Sequence, residues 1–123
     1  MAYSATIRES SFELSARDRL RFKDMSNSAS LDELTNGAEF IIHNPKGYVV
    51  VDIHNDKADT PDYIKFVVID DNGASFSTGS DSFIRSFVDI FNEMQGEGEY
   101  DIVVSKHESK NYKGKGYIKA SIL

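Results

Sequence analysis

The chain has 123 residues, 40% of them hydrophobic and 28% charged, with a net charge of −6 and no cysteine. This length fits one folded domain, and eight Phe with six Tyr supply core material that disordered chains lack. The lack of cysteine excludes disulfide scaffolds and thiolate metal sites. No apolar run is long enough to span a bilayer and the start has no apolar signal core, so we expect a soluble intracellular protein.

Positive charge is concentrated near the two ends of the chain. Residues 1–24 carry five bases and four acids, residues 102–123 carry five lysines and one acid, and residues 25–101 carry four bases and fifteen acids. A local cationic surface attracts polyanions even when the whole protein is acidic. We therefore expect a binding site for a polyanion in the C-terminal segment.

Alternation and capping predict the first elements. Residues 11–23 end in Arg19-Leu20-Arg21-Phe22-Lys23, and this alternation predicts a half-buried strand with its three bases on one face. Ser30 and Glu33 match the Ser-x-x-Glu pattern of a capping box, which predicts one short helix over residues 31–36.

A turn with proline and glycine predicts the next two strands. Asn44-Pro45-Lys46-Gly47 separates the apolar runs 39–43 and 48–54, so these runs are expected to pair as a hairpin. In the second run, one set of alternating residues is expected to face the core: Val49, Val51 and Ile53. The other face is then expected to carry Tyr48, Val50, Asp52 and His54.

The spacing of the apolar residues changes after residue 79, from every second residue to every third or fourth residue. Before that point, Asn72-Gly73 predicts a hairpin of strands 63–70 and 74–78, which follows a polar loop. After it, Ser80 is a typical N-cap, and apolar residues at helical spacing predict a helix as far as Met94. Two more strands are predicted, 100–106 and 117–122, joined by a long polar loop.

From residue 48 onward, these elements follow the order of an OB-fold. Three strands, one helix and two strands predict a mainly β, five-stranded Greek-key barrel with its helix between strands three and four. We expect a single domain, 1–123, in which 48–122 is the OB-like core and 1–44 is an N-terminal strand and hairpin extension. A small sheet capped by one helix, with no barrel closure, would give the same pattern.

The basic and aromatic stretch from Ser105 to Lys119 is the main candidate site. In an OB-fold this loop joins strands four and five and contacts oligonucleotides. Lysines neutralise phosphates and tyrosine rings stack on bases, which is the mixture that single-strand binders use. The predicted contacts in this stretch are Lys110, Tyr112, Lys113, Lys115, Tyr117 and Lys119. The alternative is a solvated surface hairpin whose lysines prevent edge pairing.

Strand parity adds further candidates to the same predicted surface. Aromatic and cationic residues alternate with apolar ones in several predicted strands, which places them on one face of each. These candidates are Arg19, Arg21, Lys23, Tyr48, Tyr63 and Lys65. The acids are expected to lie on the opposite surface.

Metal and catalytic sites are not predicted. Asp52-x-His54-x-Asp56 places three potential ligands on one side of a strand, but this spacing matches no metal or nuclease motif. His107 is expected to be a surface histidine, because no orienting partner follows from its position. We expect no cofactor and no enzymatic activity.

Part of the chain resembles a known family. The residues that carry the likeness are His54-Asn55-Asp56-Lys57, the strand from Tyr63, Ser77-Thr78-Gly79-Ser80-x-Ser82-Phe83 and Ser109-Lys110-Asn111-Tyr112-Lys113-Gly114-Lys115. With them, residues 48–122 resemble small single-stranded-DNA-binding proteins encoded by phages of Gram-positive bacteria. The resemblance implies an OB-fold, a role in DNA replication or recombination in the cytoplasm of the infected host, self-association, and contacts with other replication or recombination proteins. This sequence ends in Lys119-Ala120-Ser121-Ile122-Leu123 and not in the acidic tail that is usual in cellular members of the wider class, so we do not expect recruitment through such a tail.

The sequence thus favours a non-enzymatic module that binds single-stranded DNA with little sequence preference. One alternative is an accessory or inhibitor protein that binds another protein through an acidic surface mimicking nucleic acid. A third hypothesis is a metal-dependent enzyme using Asp52, His54 and Asp56.

Overall fold

The computed structural model describes residues 3–24, 27–108 and 116–123. Within these ranges the fold is mainly β, as predicted, with eight strands in two sheets and three helices. The strands are β1 (Tyr3–Ser10), β2 (Ala29–Ser30), β3 (Phe40–His43), β4 (Gly47–Asn55), β5 (Asp62–Ile69), β6 (Ser75–Thr78), β7 (Asp101–Glu108) and β8 (Gly116–Ile122). The helices are α1 (Ala16–Lys23), α2 (Leu31–Leu34) and α3 (Asp81–Glu93).

The chain divides into two compact units, each built from two separate segments. Unit 1 comprises Met1–Ala29 and Lys46–Gly79, and unit 2 comprises Ser30–Pro45 and Ser80–Leu123. The predicted division into an extension and a core does not coincide with these units, because residues 1–44 contribute to both. The described strands form no closed barrel, and no described helix is long and apolar enough to cross a membrane.

A five-stranded sheet with the order β1-β4-β5-β6-β2 forms the framework of unit 1. Strand β4 pairs antiparallel with β1 on one edge and with β5 on the other. Three alternating residues of β4, Val49, Val51 and Ile53, pack with Val67 and with Phe22 of α1 into the core, as predicted for β4. Strand β1 was not predicted, because only two apolar residues of this strand, Ala5 and Ile7, pack against the core, and so short an alternation is a weak pattern.

Residues 16–23 form a helix, so the predicted strand over 11–23 is wrong. Ser15 accepts a hydrogen bond from the backbone N–H of Asp18, and the Asp18 carboxylate accepts one from the N–H of Ser15, which completes a capping box. Leu20 and Phe22 do not share a face, since Leu20 is 69% exposed and Phe22 is buried. A short alternation of apolar and basic residues fits one turn of an amphipathic helix as well as a strand.

The predicted hairpin of residues 39–43 with 48–54 is also wrong, although both strands exist. Strand β3 pairs with β7 and belongs to the second sheet. Both edges of β4 are already occupied by β1 and β5, so β4 has no edge left for β3. The connecting Asn44 adopts a positive φ of 40° and donates its backbone N–H to Asp101 Oδ1 at 3.1 Å.

Local signals elsewhere in the sequence are confirmed. Strands β5 and β6 pair as a hairpin, and the Asp70 carboxylate in the turn accepts the backbone N–H groups of Asn72 and Ala74. Helix α2 has Ser30 as its N-cap, and α3 has Ser80 as its N-cap.

The sheet of unit 2 has the order β3-β7-β8, and α3 packs on β8. Phe83 and Phe87 of α3 are fully buried, as are Ile102 and Val104 of β7 and Ile118 of β8. Two serines of α3 bind the backbone of β8. The Ser82 hydroxyl donates to the carbonyl of Ile118 at 2.9 Å, and the Ser86 hydroxyl accepts the N–H of Ala120 at 2.9 Å. These serines satisfy backbone groups at an edge that would otherwise be open to pairing.

Candidate nucleic-acid interface

One face of the β7–β8 hairpin carries three opposed pairs of residues that are not part of the core. The pairs are Val103 with Ser121, Ser105 with Lys119 and His107 with Tyr117. We call these six residues the β7–β8 face. The intervening residues point to the other side, where Val104, Ile118 and Ala120 are buried. The alternation predicted for Tyr117 and Lys119 is therefore present.

The rings of His107 and Tyr117 stack on each other at one end of the β7–β8 face. Their centroids are 5.5 Å apart and their planes make an angle of 25°. The Ser105 hydroxyl lies 2.9 Å from His107 Nε2, so a hydrogen bond further fixes the imidazole. Tyr117 is 41% exposed, which leaves much of its ring available to a ligand. Such a pair offers a flat aromatic surface to a planar group.

Lys119 supplies the positive charge of the β7–β8 face. It is exposed and lies two residues from Tyr117 on the same side of β8. No residue in the described ranges forms an ion pair with its ammonium group. A cation beside an exposed aromatic ring can contact a phosphate while the ring contacts a base.

Four predicted contact residues lie outside the described residues: Lys110, Tyr112, Lys113 and Lys115. The segment that contains them joins Glu108 to Gly116, which are the paired residues directly beyond His107 and Tyr117.

The three bases of α1 are not brought onto one face, which corrects the strand-based prediction. Successive members of the series Arg19, Arg21 and Lys23 are about 200° apart around a helix axis. The Arg19 guanidinium donates to the carbonyl of Leu14 at 2.9 Å, and the Arg21 guanidinium donates to the carbonyl of Gly73 at 3.0 Å. Both arginines stabilise local structure in unit 1.

The candidates on β4 and β5 pack within unit 1. Tyr63 is half-buried against the core cluster, and Lys65 pairs across the strands with the fully buried Val51 on the same face. The prediction that Tyr63 and Lys65 lie on a face of the strand separate from the apolar core residues is therefore wrong. Tyr48 stacks on Phe66 with centroids 5.0 Å apart. Burial, and secondarily the charge of Glu9, raises the pKa of the Tyr48 hydroxyl.

The acidic side of β4 forms a hydrogen-bonded cluster around His54. Its Nδ1 lies 2.6 Å from Asp62 Oδ1, and its Nε2 lies 2.6 Å from Asp56 Oδ1. These hydrogen bonds, first to Asp62 and then to Asp56, raise the pKa of His54. Asp52 does not join them, because it is held by the Arg8 guanidinium at 2.8 and 3.0 Å. The described residues contain no group of three acids and histidines arranged to hold a metal ion.

His107 is exposed, as predicted, but its place in the β7–β8 face was not predicted. The sequence did contain an indication, because His107 lies two residues after Ser105 in β7 and therefore points to the same face of the strand. Its stacking partner became evident only with the cross-strand register, which depends on where β8 begins.

The chain was compared with models of protein families, with curated proteins and with solved structures, and none of these matches it.

Proposed function

We propose that this protein is not an enzyme and that it binds single-stranded DNA through the β7–β8 face. The observation that carries the proposal is the exposed stacked pair of His107 and Tyr117 with Lys119 on the same side of the sheet. The sequence between Glu108 and Gly116, two residues that pair next to His107 and Tyr117, contains three lysines. Aromatic rings and lysines in this combination suit a strand whose bases are unpaired.

In this proposal, a base stacks on the exposed part of the Tyr117 ring, and stacking contributes about 1–3 kcal/mol per base. Lys119 and the lysines at 110, 113 and 115 neutralise neighbouring phosphates, which releases counterions and makes binding depend on salt. Double-stranded DNA presents its bases only at their edges, so it cannot use the aromatic surface. The site therefore prefers single strands and tolerates different sequences.

The finer classification belongs to the same proposal. The chain order of β4, β5, β6, α3, β7 and β8 is the element order of an OB-fold, and we propose that relationship from this order. A role in phage-type DNA replication or recombination in the bacterial cytoplasm, with self-association and contacts to other proteins of these processes, follows from the sequence resemblance.

Fluorescence anisotropy of a labelled oligothymidine, at low and at moderate salt, tests the proposal. We expect binding that weakens steeply with salt, at a log-log slope of about −0.7 per contacted phosphate. A duplex of the same length should compete poorly. Absence of binding at both salt concentrations would overturn the proposal and favour the protein-binding alternative.

A further inference from the structure

An open groove lies beside His107, between β7 and the segment that leads into β3. It is lined by Thr35, Gly37, Ala38, Glu39, Ser105, Lys106 and His107. Strand β7 has β8 on one side and β3 on the other, and residues 35–39 lead into β3. His107 thus both stacks on Tyr117 and lines the groove.

Three of the lining residues belong to a stretch of β7 that extends beyond its pairing with β3. Strand β3 is paired with Asp101–Val104, whereas β7 continues to Glu108. In the described part of the chain, Ser105–His107 pair with β8 on one side, and their other edge has no neighbouring strand and borders the groove. Backbone amides and carbonyls at such an edge are available to bind the polar rim of a ligand.

Lys106, which lines the groove, also connects β7 to the chain around α2. Its ammonium group donates to the carbonyl of Asp32 in α2 at 2.9 Å and to Asn36 Oδ1 at 2.6 Å, which ties α2 and the residue after its C-cap to β7. Small residues also line the groove, and a Cβ added at Gly37 would meet no atom within 4 Å. Two hydrogen bonds of Lys106 therefore hold this part of the groove in place, and the small side chains leave it open.

Glu39 gives the groove a chemical preference. A carboxylate only accepts hydrogen bonds, and it binds best where two donors lie side by side. Guanine is the nucleobase whose Watson–Crick edge presents two adjacent donors, the ring N1–H and the 2-amino group. Adenine and cytosine present a single donor beside an acceptor, and thymine presents a single donor between two carbonyls.

The geometry points to a guanine subsite in this groove, with the base stacked on His107 and its donors bound by the Glu39 carboxylate. This inference rests on the proposed function, because the base arrives as part of a single strand on the β7–β8 face. The strand would otherwise be bound without regard to sequence, and one nucleotide position would prefer guanine.

The test compares three labelled oligothymidines of equal length that carry isolated guanines, adenines or inosines at the same positions. Isolated guanines avoid quadruplex formation, and inosine lacks the 2-amino group. We expect the guanine strand to bind about tenfold more tightly than the adenine strand, as for one good bidentate contact. The inosine strand should lose most of this advantage.

Two variants complete the test. Glu39→Gln replaces the acceptor by an amide and should bring the guanine and adenine affinities together. Glu93→Gln, an exposed acid near the end of α3 that does not line the groove, removes the same charge and should leave the preference unchanged. A thermal unfolding midpoint equal to that of the wild type shows that Glu39→Gln is folded.

The possible results separate the two claims. Equal, tight binding of all three strands by the wild type would overturn the guanine subsite and leave single-strand binding intact. A guanine preference that survives Glu39→Gln would also overturn it. No binding of any strand would overturn the proposed function itself. The inosine comparison uses the wild type and decides the matter even if Glu39→Gln fails to fold.

Discussion

The rings of His107 and Tyr117 lie 5.5 Å apart, centroid to centroid, with an angle of 25° between their planes. They come from opposite strands of the β7–β8 hairpin and face each other in register. This pair makes the β7–β8 face an aromatic surface instead of a merely charged one. In the proposed function, stacking by this pair and charge neutralisation by the lysines can therefore be tested separately.

Tyr117→Ala should weaken binding of oligothymidine by about tenfold or more, because it removes a stacking surface worth about 1–3 kcal/mol. The salt dependence should change little, since no charge is lost. Anisotropy titrations at several salt concentrations measure both quantities. Tyr3→Ala is the matched control, because Tyr3 is a similarly exposed tyrosine on β1 in unit 1. Equal losses in both variants would contradict the assignment of the β7–β8 face.

Lys119→Ala should have a different signature. Loss of one phosphate contact on a single strand should lower the log-log salt slope by about 0.7 and weaken binding most at low salt. The same titrations provide the measurement. Lys57→Ala removes an exposed lysine from the β4–β5 connection and should leave the slope unchanged. An unchanged slope in Lys119→Ala would show that its ammonium group contacts no phosphate.

The His54 cluster predicts a pH dependence of stability in unit 1. Only the imidazolium donates from both ring nitrogens, so the hydrogen bonds to Asp62 and Asp56 favour the protonated form. The pKa of His54 is thereby raised in the folded state above the reference value of 6.5. Its stabilising contribution is complete below the unfolded pKa and is lost as the pH rises through the folded pKa.

Urea unfolding of the wild type and of His54→Gln, from below pH 6.5 to above the raised pKa of His54, measures the effect. The wild type should lose stability relative to the variant as the pH rises, and Asp62→Asn should shift the midpoint of this loss to lower pH. Parallel pH profiles of the wild type and His54→Gln would contradict the prediction. The comparison with the variant removes the contributions of the other histidines.

Ser86→Ala should destabilise the protein by about 1–3 kcal/mol, because it leaves a buried N–H without its acceptor. The Ser86 hydroxyl accepts the N–H of Ala120, a residue that is 2% exposed, at 2.9 Å. Chemical denaturation measures the free energy of unfolding. Asp89→Ala on the exposed side of α3 should change it by no more than about 0.5 kcal/mol. Similar small effects in both variants would show that Ser86 does not secure the edge of β8.

Gly47→Ala should destabilise unit 1 by about 1–3 kcal/mol through overpacking. A Cβ at this position would lie 2.6 Å from Phe12 Cδ1 and 2.8 Å from Ser11 Oγ. The Phe12 ring packs edge-on against Phe22, and Ser11 Oγ accepts the backbone N–H of Tyr48 at 2.8 Å, so moving either side chain disturbs an existing contact. Gly79→Ala is the control, since its Cβ would meet its nearest atom at 3.5 Å. Denaturation midpoints of the two variants should differ clearly, and equal midpoints would contradict this packing.

The elements that could be predicted from the sequence are those with a local cause. Asn72-Gly73 indicates its hairpin, and Ser80 with the apolar stripe that follows indicates α3, because turn and cap chemistry act within a few residues. The helix α1 could have been recognised from Ser15 and Asp18, but the alternation that follows is equally compatible with a strand. The pairing of β3 with β7 spans about sixty residues of sequence and leaves no local signal.

The candidate site shows the same distinction. The shared face of Tyr117 and Lys119 follows from parity, which is a local property of a strand. The stacking of His107 on Tyr117 depends on the register of β7 with β8, and the groove beside His107 depends on where β3 begins. Neither the stacking nor the groove can be predicted from the residues close to His107 in the sequence. The bases of α1 were assigned to the site because a wrong secondary structure placed them on one face.

The central claim is that single-stranded DNA binds on the β7–β8 face, and backbone amide chemical shifts during titration with oligothymidine test it most directly. We expect the largest changes at Ser105, His107, Tyr117 and Lys119, with small changes at Tyr48 and Tyr63 in unit 1. Large changes at β4 and β5 with none at β7 and β8 would contradict the account. So would a spectrum that does not change at saturating DNA.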